Sequence, residues 1–178
     1  RDNSTYTVGK LSDGNCWMTQ NLRIVNKTIT PADSDVTGAF TIPASSTSGF
    51  SNYDIANAYY SNDASYGAYY SWYAVTAGTG AQSMSSGNAA SSICPRGWRL
   101  PTGGSDGEFQ ILYNKWTPAT WTTYNGKNGR WLGAPSASGG AFFPAAGYYD
   151  ESSPRDIGSN GSYWSSTAYS NNSAFNPY

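Results

Sequence analysis

The chain contains no histidine among its 178 residues. That absence removes the commonest general base, the commonest transition-metal ligand and the near-neutral pH switch together. Charge is scarce as well, since Asp, Glu, Lys and Arg make up 12% of the chain against roughly 25% in an ordinary soluble domain. Ten basic and eleven acidic residues leave a net charge of −1. A phosphate backbone needs a basic footprint that is absent here, so no nucleic-acid partner is expected. No apolar run approaches the roughly eighteen residues of a membrane span, which excludes direct insertion by a helix. Arg1 opens no signal-peptide pattern, and the chain reads as a mature or excised piece. Cysteine is limited to Cys16 and Cys94. The two can close one long loop, a link worth on the order of 4.5 kcal/mol in the loop-entropy model, or stay as two buried free thiols. Pairing is the expectation, and it favours an oxidising, extracellular setting.

Aromatics, by contrast, reach 16%, and glycine numbers 20. With so few charges the surface has to be built from Ser, Thr, Asn, Gly and Tyr. A chain of this length buries about 70% of its unfolded surface, enough for one domain over residues 1–178 without further staples. Its centre is Cys94-Pro95-Arg96-Gly97-Trp98-Arg99-Leu100-Pro101. Two prolines fix φ and remove donors, so this run is a rigid bend rather than a helix or strand interior, and Trp98 and Leu100 are expected in the core.

Taken in order, Thr5 to Leu11 alternates like a half-buried strand, Ser12-Asp13-Gly14-Asn15 is a turn, and Cys16-Trp17-Met18 is a second strand paired with the first. Gln20 to Val25 continues as strand or crossover. Residues 26–57 read as a loop insertion ordered by the apolar anchors Phe40, Ile42, Phe50 and Tyr53. Tyr66 to Ala77 suits helix or strand, with helix favoured by the spacing of Tyr69, Trp72, Tyr73 and Thr76 and by Gly78 as its stop. After the bend, Ser105-Asp106-Gly107-Glu108 has capping-box spacing. Phe109, Leu112, Tyr113 and Trp116 then mark a helix from Asp106 to Trp116. The short aromatic runs at Trp121–Tyr124, Arg130–Leu132, Ala141–Tyr149 and Ser162–Thr167, each bounded by turn residues, predict small antiparallel hairpins. The class is therefore α+β, with small twisted antiparallel sheets, about two short helices and long irregular loops.

Four motifs carry a family resemblance. Cys16-Trp17-Met18-Thr19-Gln20-Asn21-Leu22 resembles WMxxNL, Tyr66-Gly67 with Tyr70 and Trp72 resembles YGxxY-x-W, and Cys94 to Pro101 resembles CPxGWxLP. Gly147-Tyr148-Tyr149 followed by Tyr163-Trp164-Ser165-Ser166-Thr167 is similar to G-Y-Y…YWSST. In this order they resemble the Fibrobacter succinogenes major paralogous domain of bacterial surface and secreted proteins. The resemblance implies a C-type-lectin-like fold, similar to that of formylglycine-generating-enzyme-like domains and retroelement variable proteins. Members continue into a closing strand with a G-x-S-V-R-C ending, whereas this chain stops at Asn176-Pro177-Tyr178. The resemblance thus implies that the final strand is lacking and an edge is exposed. Cys16 also departs from the polar residue of many members, and the usual partner of Cys94 would be the lost terminal cysteine. With only two cysteines present, pairing of Cys16 with Cys94 as a structural disulfide stays the expectation.

Chemistry-bearing constellations are few. Asp150-Glu151 is a carboxylate pair in a Gly/Ser turn, a setting that gives solvated loop residues rather than catalysts. Gly103-Gly104-Ser105-Asp106-Gly107 lacks the lysine and the preceding strand of a phosphate loop. No catalytic residue and no cofactor are expected. A structural calcium ion is the one metal left open, with Asp33-Ser34-Asp35, Ser61-Asn62-Asp63 and Asp150-Glu151 as oxygen-rich turns. The binding expectation rests on composition, because Tyr, Ser, Gly and Asn make adaptable paratope-like surfaces. Tyr148, Tyr149, Asp150, Tyr169, Asn171, Asn172, Asn176 and Tyr178 are the candidate ligand-binding residues, joined by Tyr163 and Trp164 unless these are core. The expected function is an extracellular or cell-surface, non-catalytic adhesion module of a bacterial surface protein, recognising a glycan or a protein. The alternative is a self-assembling structural subunit of a pilus, stalk or surface layer.

Overall fold

A computed structural model describes residues 4–44, 58–60, 66–81, 84–115, 120–132, 140–150, 153–170 and 173–174. The architecture is α+β. The elements in order are β1 (Val8–Lys10), β2 (Cys16–Met18), β3 (Lys27–Ile29), β4 (Phe40–Ile42), β5 (Ala58–Tyr60), β6 (Ala68–Tyr70), α1 (Trp72–Val75) and α2 (Glu108–Asn114), then β7 (Thr120–Tyr124), β8 (Lys127–Leu132), β9 (Ala141–Pro144), β10 (Tyr148–Asp150), β11 (Ser153–Arg155), β12 (Ala168–Ser170) and β13 (Ser173–Ala174). Among the described residues these strands form five two-stranded sheets and one three-stranded sheet of order β7-β8-β9. Every pairing within them is antiparallel. No helix among the described residues is long and apolar enough to cross a membrane.

The first hairpin forms where the sequence places it. Gly14 takes a φ of +86° in its turn, a conformation glycine adopts without steric cost. The Asp13 carboxylate then accepts hydrogen bonds from the Asn15 backbone N–H at 3.1 Å and from Trp17 Nε1–H at 2.9 Å. Within residues 26–57, the expected anchors Phe40 and Ile42 sit in a hairpin whose other strand, Lys27–Ile29, the sequence reading did not single out. β3 and β4 pair with Ile29 opposite Phe40, and Ile29 and Ile42 are fully buried. Two well-spaced isoleucines in polar text carry enough apolar surface to hold a hairpin down. Phe50 and Tyr53 lie outside the described residues.

Tyr66 to Ala77 is neither all helix nor all strand. Ala68–Tyr70 pairs with β5, and α1 begins one residue later behind Ser71, whose hydroxyl accepts from the Ala74 N–H at 3.1 Å. The cap stops the strand and starts the helix. Ala77 and Gly78 then take φ of 50° and 78°, and the Gly78 N–H returns to the Tyr73 carbonyl at 2.8 Å.

The helix after the bend is shorter than its periodicity predicts. It starts at Glu108 with Gly107 as N-cap, and Ser105 does not cap it. A reciprocal pair of bonds ties the loop to the first helical residue instead. Thr102 Oγ1 accepts from the Glu108 N–H and Glu108 Oε2 accepts from the Thr102 N–H, both at 3.0 Å. The loop between folds back so tightly that a Cβ on Gly107 would collide with the Gly103 backbone. Trp116 lies outside the described residues.

The bend itself is held by a turn in which the Trp98 N–H donates to the Pro95 carbonyl at 2.8 Å across Gly97, at φ +82°. Cys94 and Leu100 enter the main core with Ile24, Ile29, Ile42, Trp72, Val75 and Ile93, and Trp98 packs partly buried against it. A second cluster of Leu11, Leu112, Leu132 and Ala141 sits between β1, α2 and the three-stranded sheet. The expected cross-link is not formed. Both cysteines are free thiols, Cys16 exposed on β2 and Cys94 buried. The bend is therefore braced by apolar packing and by the bonds of Asp35 N–H to the Cys94 carbonyl and of Arg96 N–H to the Asp33 carbonyl.

Candidate functional site: an uncharged aromatic cleft

The cleft is assembled from three parts of the chain. β6 and the turn before it contribute Tyr66, Tyr69 and Tyr70, β10 contributes Tyr148 and Tyr149, and the segment ahead of β12 contributes Asn160, Ser162, Tyr163 and Trp164. Leu100 of the bend and Phe109 of α2 also line it. Together they surround a volume of about 520 Å³, within the roughly 300–1,000 Å³ of ordinary small-molecule sites.

The aromatic polar tips are tied back to backbone. Tyr69 Oη–H donates to the Ala146 carbonyl at 2.6 Å, Tyr70 Oη–H to Ile24 at 3.0 Å and Tyr163 Oη–H to Pro144 at 2.6 Å. Trp164 Nε1–H donates to the Tyr70 carbonyl at 2.6 Å and Trp72 Nε1–H to Ser165 at 2.9 Å. The Tyr69, Trp72 and Trp164 bonds cross between β6–α1 and the C-terminal third and hold these rings in fixed planes. Tyr69 and Tyr149 meet with centroids 6.1 Å apart. Gly147 lines the cleft at φ +70°, so near the Arg155 carbonyl that any Cβ there would overlap it.

No charged side chain is among the residues described as lining the cleft. Lys127 stands at its edge, with Nζ 4.4 Å from the centroid of the Tyr66 ring. Such a surface has aromatic planes and neutral donors and acceptors, and it imposes no charge requirement on what it contacts.

Of the residues expected from sequence, Tyr148 and Tyr149 line the cleft, joined by Tyr163 and Trp164. Trp164 is both core and wall, packing on the main cluster while lining the opening. Asp150 is brought elsewhere, exposed on β10 with Arg155 Nε 3.5 Å from its carboxylate. Tyr169 falls on β12. Asn171, Asn172, Asn176 and Tyr178 lie outside the described residues. Sequence reasoning did not pick Tyr66, Tyr69, Tyr70 and Asn160 for this site, although Tyr66 and Tyr70 already stood in the YGxxY-x-W motif with Tyr69 between them.

The oxygen-rich turns have structural partners. Asp33 accepts from the Thr30 N–H and from the Ser34 and Thr30 hydroxyls, and Asp35 accepts from the Ser92 hydroxyl at 2.8 Å. Among the described residues no three His, Cys, Asp or Glu side chains cluster as metal ligands would. Ser61-Asn62-Asp63 and Glu151 lie outside the described residues.

Short antiparallel hairpins and two small helices among the described residues make this an α+β domain. The chain belongs to the Fibrobacter succinogenes major domain family, whose model matches residues 13–177. No curated protein and no solved structure matches it.

Proposed function

We propose that this domain is an extracellular, non-catalytic recognition module of a bacterial surface protein, and that the aromatic cleft is where it binds a glycan. The observation that carries this reading is the lining: tyrosine and tryptophan planes beside Asn21, Asn160, Ser71 and Ser162, with no charged side chain among the residues described as lining it. Sugar rings present apolar C–H faces to aromatic planes and hydroxyls to amides, which matches that lining. A C-type-lectin-like arrangement of the hairpins is part of the proposal, and a solved structure compared with lectin-like domains tests it.

A glycan array probed with the labelled domain tests the function. A monomer that binds, and whose affinity falls roughly threefold to tenfold in Tyr149→Ala, the cost of one aromatic partner, supports recognition. Blank arrays from a folded domain would remove it. Assembly is the second reading, favoured by β7, which pairs on one side only among the described residues and exposes Trp121 at 46%. Unpaired edges template association. Concentration-dependent self-association in light scattering, together with a blank array, would select it.

A further inference from the structure

A second cleft lies beside the first, and its floor follows from strand register. In β7-β8-β9, Tyr124 stands opposite Lys127 and Trp131 opposite Phe142, so alternation puts the rings of Tyr124, Trp131 and Phe142 on one face. Their centroids are 5.0 to 5.7 Å apart. The opposite face sends Leu132 and Ala141 into the second core cluster. Gly129 makes the aromatic face possible, because a Cβ there would stand 2.7 Å from Phe142 Cζ. The β1–β2 hairpin walls this face without sealing it, leaving about 490 Å³ between Val8, Met18 and the rings. Tyr124 remains 45% exposed. A ring that served only packing would be expected to lose most of that surface.

The two clefts share a wall. Asn21 lines both, its Nδ2–H donates to the Tyr66 carbonyl at 3.1 Å, and Lys127 stacks on the Tyr66 ring. Each side of this ridge presents aromatic planes with neutral amides and hydroxyls: Tyr148, Trp164 and Asn160 on one, Tyr124, Trp131 and Gln20 on the other. Lys127, held on the ridge, is the one charged residue described in either lining. The same chemistry twice, side by side, suits a ligand that repeats.

Resting on the recognition reading above, we propose that the two clefts are subsites of one groove for a linear, neutral oligosaccharide that crosses the Asn21–Tyr66 ridge. A single sugar ring fills a fraction of either cleft, whereas a chain places successive units in both. Linkage makes the second contact intramolecular, so affinity grows with chain length until both subsites are filled.

The test is isothermal titration of the whole chain with three ladders, β-1,4-linked glucose, β-1,4-linked N-acetylglucosamine and α-1,4-linked glucose, each from one to six units. For the ladder that binds, affinity is expected to rise about tenfold or more from two units to six, the gain of a tethered second contact. Tyr124→Ala should abolish that gain, while Tyr148→Ala should weaken binding at every length that binds. The wild-type length dependence decides the matter even if a variant does not fold. Binding that is independent of length, or a gain that survives in a folded Tyr124→Ala, overturns the groove and leaves the single-cleft reading intact. Failure of every ladder to bind overturns the groove, and a blank glycan array from the same folded chain overturns the recognition reading with it.

Discussion

At the scale of single residues, Gly147 and Glu108 show how local chemistry sets the cleft. Gly147 combines a positive φ with contact against the Arg155 carbonyl, and an alanine satisfies neither condition. Gly147→Ala is expected to cost about 2 kcal/mol or more, from left-handed strain plus overlap, as a lower urea midpoint. Glu108 couples bend and helix. The Arg99 guanidinium, bonded to it at 2.6 and 2.7 Å, holds its carboxyl below the usual 4.5; partial burial opposes this and the Thr102 N–H adds to it. A carboxyl whose folded pKa is depressed stabilises the fold above its unfolded pKa, and that contribution fades as pH falls through the folded value. Stability should therefore decline on acidification below 4.5, and Glu108→Gln should flatten that slope. Arg99 is 61% exposed, so water screens the pair and the loss at neutral pH is about 1 kcal/mol or less. A melting series across pH on both proteins reads the difference.

At the scale of elements, the short strands gain their stability from what they are pinned to. β3–β4 is three residues a side, too little for an independent hairpin. Its fully buried Ile29 and Ile42 make it part of the main core. Ile42→Ala is expected to lower unfolding free energy by about 2–5 kcal/mol; a change below about 0.5 kcal/mol, typical of surface sites, would return this segment to the status of a surface insertion. The β7–β8 hairpin is more local in origin. Asn125 and Gly126 both take positive φ, 48° and 74°, the requirement of a type I′ turn that matches strand twist. An Asn-Gly pair between alternating runs announces such a hairpin in sequence, and with it the shared face of Tyr124 and Trp131.

At the scale of the whole molecule, integrity rests on packing and long-range hydrogen bonds between the described elements. The indole bonds of Trp72 and Trp164 tie α1 and β6 to residues more than ninety positions away. With both thiols free, the melting temperature should be the same with and without reductant. A thiol reagent should modify Cys16 rapidly in the native protein and Cys94 only on unfolding, because exposure controls access. Rapid modification of neither, with a lower melting temperature in reductant, would show a bridge after all.

Much of this molecule was legible from residue order alone. The Asp13-Gly14 hairpin, the bend with Leu100 in the core, the amphipathic helix and the α+β class all follow from φ requirements and hydrophobic period, which act within a few residues. The family motifs placed Tyr148 and Tyr149 in one run. Other features depended on distant partners. Thr102, not Ser105, exchanges hydrogen bonds with Glu108 because the loop between closes on itself. Cys94 meets apolar side chains instead of Cys16. The cleft needs Tyr69, Tyr149 and Trp164, which only the tertiary hydrogen bonds bring around one space. Local pattern determines which elements form; which rings face one another is decided by how those elements pack.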